Sequence, residues 1–171
     1  LQRPVARQLH PAVIRRRSAV DRVELDARTV HLADGGTLGY DALVVATGAR
    51  LAPAETEGLT GPGWRESIFD FYTLEGALAL RDALARFEHG RLVIDVVEMP
   101  IKCPVAPLEF AFLADWYFST RGIRDKVEIT YVTPLDDAFT KPTCNRELAH
   151  LFKRKRIGLV TDFNTGRGDG E

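Results

Sequence analysis

At 171 residues, 45% hydrophobic and 27% charged, the chain has the composition of a folded globular polypeptide, with room for one ordinary domain or pieces of two. A formal charge of −1 gives no footprint for nucleic acid as a main partner, and two cysteines are too few for a disulfide framework. No apolar run approaches the roughly 18 residues needed to span a bilayer, no secretory pattern is present, and no Cys/His cluster has zinc-ligand spacing, so a cytoplasmic protein without bound metal is expected.

Residues 1–11 show no period and read as loop. Residues 12–25 are expected to run extended, with Val13, Ile14, Val20, Val23 and Leu25 set among arginines. On such a strand Arg15, Arg16 and Arg17 would point to alternating faces, which suits a solvated edge better than an anion site. Residues 29–32 form a second strand, and Asp34-Gly35-Gly36 is a turn leading into Thr37-Leu38. The result is a small antiparallel meander. Residues 42–46 are expected as a buried strand, and Gly48 just beyond would let the backbone approach a ligand closely.

Residues 51–67 hold Pro53, Gly58, Gly61, Pro62 and Gly63, the composition of a crossover between domains. Thr73 then stands as the N-cap of a helix running through Leu74, Ala77, Leu80, Leu84 and Phe87, ended by His89-Gly90. A strand over 92–97 leads into a loop that carries Cys103 among Pro100, Pro104 and Pro107. The next helix, 108–118, has Phe110, Phe112, Trp116, Tyr117 and Phe118 spread around it, a pattern that predicts burial between a sheet and another layer. Gly122 stops it. A strand over 127–132, a loop at 133–137, a helix over 143–155 and a strand over 157–163 follow. Lys153 to Arg156 read as the solvated last turn of that helix, where positive charge suits the dipole. Strands alternating with helices predict a parallel α/β sheet in this half. The expected organisation is 1–52, a linker over 53–64, a Rossmann-like half-domain over 65–165, and a flexible tail over 166–171. A start at Leu1 and a tail of Gly-Arg-Gly-Asp-Gly-Glu suggest a piece of a longer protein.

The loop after residue 97 decides the chemistry. A dinucleotide pyrophosphate needs a glycine-rich turn there, so that it can reach the amides of the following helix. The chain has three prolines and no glycine, an acid at Glu98, and no Gly-x-Gly-x-x-Gly anywhere. A nicotinamide cofactor held in the usual way is not expected. Cys103 is instead either an apolar filler or a redox thiol. Its neighbour Lys102 and the nearby helix start are the surroundings that favour a thiolate. Cys144, near a helix start, reads as structural or incidental.

A meander followed by Tyr-Asp-x-Leu-Val-Val-Ala-Thr-Gly-Ala at residues 40–49 resembles the second flavin-contacting motif of flavoproteins with two dinucleotide-binding domains. Pro-Ile-Lys-Cys-x-x-Ala-Pro at residues 100–107, opening onto an aromatic helix, resembles the sulfide:quinone oxidoreductases and flavocytochrome c-type relatives within that superfamily. The resemblance runs from about Val13 to Phe163. It implies that residues 1–52 are the C-terminal part of an FAD-binding domain, with Val20, Ala46, Thr47 and Gly48 near the cofactor. It implies that Cys103 works beside FAD as a sulfur-carrying nucleophile, aided by Lys102, with a second cysteine from elsewhere in the parent enzyme. Sulfide and a quinone would be the parent's substrates, with peripheral membrane association through regions outside this chain. The isolated chain is expected to bind FAD weakly or not at all and to have no turnover. Two other readings stay open: an NADH-dependent quinone or ferredoxin reductase-like flavoprotein, and a non-catalytic Rossmann-like module that pairs with itself as a homodimer.

Overall fold

The computed structural model describes residues 4–166. They form two compact units that divide between Gly48 and Ala49.

The first unit is a three-stranded antiparallel sheet in the order β1-β2-β3, made of β1 (Val20–Glu24), β2 (Thr29–Leu32) and β3 (Thr37–Gly39). Alternation explains its inner face: Val30 and Leu32 of β2 are buried, one residue apart on the same side. The β2–β3 turn uses the expected residues. Gly35 takes a φ of 83°, its amide donates to the Leu32 carbonyl at 3.0 Å, and the Gly36 amide donates to Asp34 Oδ1 at 3.0 Å. The turn chemistry therefore sets the register.

Two expectations for this unit are corrected. Strand β1 begins only at Val20; residues 13–19 are irregular, with Ile14 87% exposed, so Arg15, Arg16 and Arg17 lie on loop and not on a strand edge. Residues 42–46, expected as a buried strand, are also irregular, and Val44 is 86% exposed. An apolar β-branched run supplies propensity but no partner, and a strand buried on both faces exists only where neighbours hydrogen-bond to both its edges. No described strand pairs with this run.

The second unit is a parallel sheet in the order β4-β5-β6, made of β4 (Gly90–Asp95), β5 (Val127–Val132) and β6 (Ile157–Val160). Helix α2 (Ala106–Thr120) crosses from β4 to β5, and α3 (Pro142–Lys155) from β5 to β6; α1 (Leu74–Arg86) precedes β4. This is the expected mixed α/β class. One sheet face packs into the core through Ile94, Val96, Val127, Ile129, Tyr131 and Ile157, against Leu108, Ala111, Ala114 and Phe118 of α2 and Phe152 of α3. Phe152 touches both Tyr131 and Phe112, with ring centroids 5.6 and 5.5 Å apart, which fixes α3 beside α2 on that face. Alternate residues such as Val93 and Glu128 point the other way and are exposed.

Thr73 caps α1 as expected: its Oγ1 accepts from the Gly76 amide at 3.0 Å. The helix ends earlier than His89, with Phe87 turning inward to pack on Phe118 at 5.7 Å. Gly122, at φ 69°, closes α2 through its amide to the Ser119 carbonyl at 3.0 Å. The aromatic helix is less uniformly covered than its composition predicts. Phe118 is fully buried, but Trp116 and its neighbour Leu113 are 62% and 61% exposed, because only one face of α2 meets the sheet.

The basic run closing α3 is also more than a solvated turn. Lys155 Nζ lies 2.6 Å from Asp115 Oδ2, and Arg156, at φ 53°, pairs with Asp125. Asp115, 6% exposed, is the centre of this corner. Its Oδ1 accepts from Arg124 Nε at 2.7 Å. The other arms of Arg124 donate to the carbonyls of Val127 (2.6 Å), Lys155 (2.6 Å) and Arg156 (3.0 Å). One planar guanidinium thus ties α2, the start of β5 and the end of α3 together, which a lysine would not do. Burial pushes the Asp115 carboxyl up, but the hydrogen bonds and charges of Lys155 and Arg124 outweigh it and hold the group below the usual aspartate range. Among the described residues no helix is long and apolar enough to cross a membrane.

Candidate functional site

The carboxyl ends of parallel strands are where open α/β sheets bind ligands. Beyond β4, the chain continues through Val96, whose amide still donates to the Val132 carbonyl at 2.9 Å, and then leaves the sheet for the proline-rich loop. Cys103 sits in that loop, three residues before α2, and it is exposed. The apolar-filler reading is therefore removed. Its backbone is left-handed, with φ 54°. For a residue with a Cβ this conformation costs roughly 1–2 kcal/mol, so surrounding contacts must hold it.

Two contacts meet at the Cys103 carbonyl. The Ala106 amide, opening α2, donates to it at 3.0 Å, and the Tyr72 hydroxyl donates to it at 3.3 Å. Tyr72 comes from the loop before α1, and its ring stacks on Phe71 at 4.9 Å, while Phe71 stacks on Phe110 of α2 at 4.8 Å. Burial, and then the proximity of Cys103, push the Tyr72 phenol above its ordinary value. Tyr131 of β5 is 2% exposed, and burial followed by the charge of Tyr72 pushes its phenol up to about 12. Lys102 is exposed beside the thiol.

The loop is poorly suited to a pyrophosphate. At the start of α2 the Ala106 amide is already engaged, Pro107 has no N–H, and Glu109 puts a negative charge in the first turn. What the turn offers is a thiol on a braced backbone.

The other residues singled out from sequence lie in the first unit or at its boundary. Val20 opens β1, paired with Leu32, and its side chain is 57% exposed. Ala46, Thr47 and Gly48 are irregular and exposed; Gly48 has φ 72°, and a methyl group placed on it would meet nothing within 4 Å. Such a backbone is open to close approach by a ligand, as a cofactor-facing segment requires. Cys144 lies exposed in the first turn of α3, away from the Cys103 loop in sequence and element.

Sequence reasoning missed Tyr72 and Phe71. The available signal was an aromatic pair directly before the Thr73 cap, where an apolar residue commonly pins the entry of a helix. Nothing in the sequence tied that pair to a loop about thirty residues later.

No protein-family model matches the chain. It is similar to the mitochondrial sulfide:quinone oxidoreductase of Mus musculus, 26% identical over 139 residues, which is 81% of this chain and 31% of that protein. It is similar to the sulfide-quinone reductase of Aquifex aeolicus, 30% identical over 115 residues, 66% of this chain and 25% of that protein. Among solved structures, the sulfide:quinone oxidoreductase from Aquifex aeolicus superposes with a TM-score of 0.69 and 26% identity, over 88% of this chain and 35% of that one. The covalent putidaredoxin reductase-putidaredoxin complex gives a TM-score of 0.54 and 26% identity, over 85% of this chain and 31% of that one. The resemblance and the fold class read from sequence are thereby borne out. The chain spans about a quarter to a third of the length of these curated relatives, so the likeness is to a segment of such an enzyme.

Proposed function

We propose that this chain is a segment of an FAD-dependent oxidoreductase that oxidises sulfide or another small sulfur species and passes the electrons to a quinone. The observation that carries the reading is an exposed thiol, Cys103, on a braced loop at the carboxyl end of a parallel strand, in a chain similar to sulfide:quinone oxidoreductases. Cys103 is the sulfur-carrying nucleophile, since only a thiolate attacks sulfur. Lys102 supplies positive charge beside it. Ala46, Thr47 and Gly48, with the backbone near Val20, belong to the FAD-facing part of the first unit. Flavin, when bound, takes up the electron pair released as sulfur is oxidised. A second thiol, needed to share the sulfur, is to come from outside these 171 residues, and so is the quinone site. Any attachment to a membrane surface belongs to those regions too.

The domain division that goes with this reading is 1–52 as the end of the FAD-binding domain, 53–64 as linker and 65–165 as the Rossmann-like second domain; most of the expected tail, 167–171, lies outside the described residues. The 171-residue chain alone is expected to bind FAD weakly or not at all and to have no turnover. Titrating the purified chain with FAD and following flavin fluorescence checks this; a stoichiometric yellow complex would overturn it.

Likeness to a reductase complex favours a second reading, NADH-dependent reduction of a quinone or of a ferredoxin. The α2 N-terminus argues against it. Expressing the whole reading frame that carries this sequence and supplying decylubiquinone with either sulfide or NADH separates the two. Sulfide is expected to drive reduction, and a preference for NADH would favour the alternative. The non-catalytic alternative, self-pairing through the edge strands β4 and β6, predicts a dimer by light scattering, and a stable monomer would count against it.

A further inference from the structure

We propose that Tyr72 is a positioning residue for Cys103, holding the sulfur-bearing residue in its left-handed backbone conformation; this rests on Cys103 being the sulfur carrier. Two hydrogen bonds converge on the carbonyl of Cys103. It accepts from the Ala106 amide at 3.0 Å, a bond local to the start of α2, and from the Tyr72 hydroxyl at 3.3 Å, a contact 31 residues away in sequence. A residue with a Cβ at φ 54° relaxes toward negative φ unless its peptide groups are held. The long-range bond from Tyr72 is the one that does not travel with the loop.

Tyr72 is itself fixed on two sides. Its amide donates to Asp70 Oδ1 at 3.1 Å, and the same oxygen accepts the Thr73 amide at 2.8 Å. Asp70 in turn is paired with Arg65 at 2.8 Å. On the other side, Tyr72, Phe71 and Phe110 stack in sequence onto α2, the helix that the cysteine loop opens. The phenol is therefore presented to Cys103 by the cap of α1 and by the face of α2 together. Its role concerns where the thiol points, and it leaves the sulfur free to react.

The test uses the 171-residue chain and inorganic tetrasulfide. The Cys103 thiolate attacks a terminal sulfur, one S–S bond breaks, trisulfide leaves, and Cys103 becomes a persulfide with charge and sulfur atoms conserved. Persulfide at Cys103 and at Cys144 is read separately by peptide mass spectrometry, so Cys144 is an internal control. Tyr72→Phe keeps the ring stack and removes only the donor. The expected result is a drop of about five-fold in the uptake rate at Cys103, the worth of one ordinary hydrogen bond, with Cys144 unchanged and the thermal unfolding midpoint lowered by no more than about a few degrees. Uptake at Cys103 equal to the parent chain's would overturn the positioning role while leaving the sulfur-carrier reading intact. Failure of the unsubstituted chain to load Cys103 would overturn both. If Tyr72→Phe unfolds, hydrogen exchange on Phe71→Leu, which removes the stack but not the hydroxyl, serves instead: faster exchange confined to residues 99–106 supports the role, and an unchanged loop contradicts it.

Discussion

Asp115 shows how much of this molecule rests on single side chains that sequence alone does not flag. A carboxylate is almost never fully buried unless it is paired. Here it is buried, and it is made tolerable by Arg124 and Lys155, which reach it from β5's entry and from the end of α3. Removing one partner of a buried ion pair leaves the other uncompensated. Asp115→Ala is expected to cost about 3 kcal/mol of unfolding free energy, the low end of the usual range because Arg124 keeps its three carbonyl acceptors. The folded-state titration lies below that of the unfolded chain, so the carboxylate's contribution is complete above about pH 4 and is lost as pH falls through the folded value. Urea denaturation of the parent chain is expected to show a midpoint falling steeply below pH 4. In Asp115→Asn that part of the acid dependence disappears; an unchanged acid slope would show that the pair is not formed.

At the scale of elements, the chain is most legible where local rules dominate. The Thr73 cap, the Gly35 turn, the Gly122 stop and the strand at 127–132 are all set by residues within a few positions of the feature, and each is found where expected. The run 42–46 fails because a buried strand is a property of its neighbours. Trp116 fails for a similar reason: composition says that a helix is apolar, but not how many of its faces are covered. The α1 entry carries the sharpest element-level prediction. A methyl group on Gly76 would overlap the Asp70 carbonyl oxygen and the Arg65 guanidinium, and the carbonyl is backbone that cannot swing aside. Gly76→Ala should therefore destabilise the second unit by roughly 1–3 kcal/mol, despite the better helix propensity of alanine. Thr73→Ala should cost about 1 kcal/mol. Guanidinium melts of both variants check the order; an alanine at 76 that stabilises would show that the Arg65–Asp70 corner is not packed as described.

At the scale of the whole molecule, two units are joined by a chain whose function depends on what each presents. One carries the Ala46–Gly48 segment with an open backbone, the other a braced thiol where a dinucleotide-binding domain would have a glycine turn. The sequence located Cys103 and the absence of a phosphate loop, since both are matters of residue type. It did not reveal the bracing of the cysteine loop, because the Phe71-Tyr72 pair lies about thirty residues before Cys103 and reaches the loop and α2 only through the fold. In the parent enzyme the sulfur-carrying role is assigned to Cys103 and not to Cys144. Sulfide-driven quinone reduction by the full reading frame, measured for Cys103→Ser and Cys144→Ser, tests it most directly. A loss on the order of a thousandfold is expected for Cys103→Ser, and a rate within about twofold of the parent for Cys144→Ser, as for a surface substitution outside the site. Full activity in Cys103→Ser, or loss confined to Cys144→Ser, would contradict it.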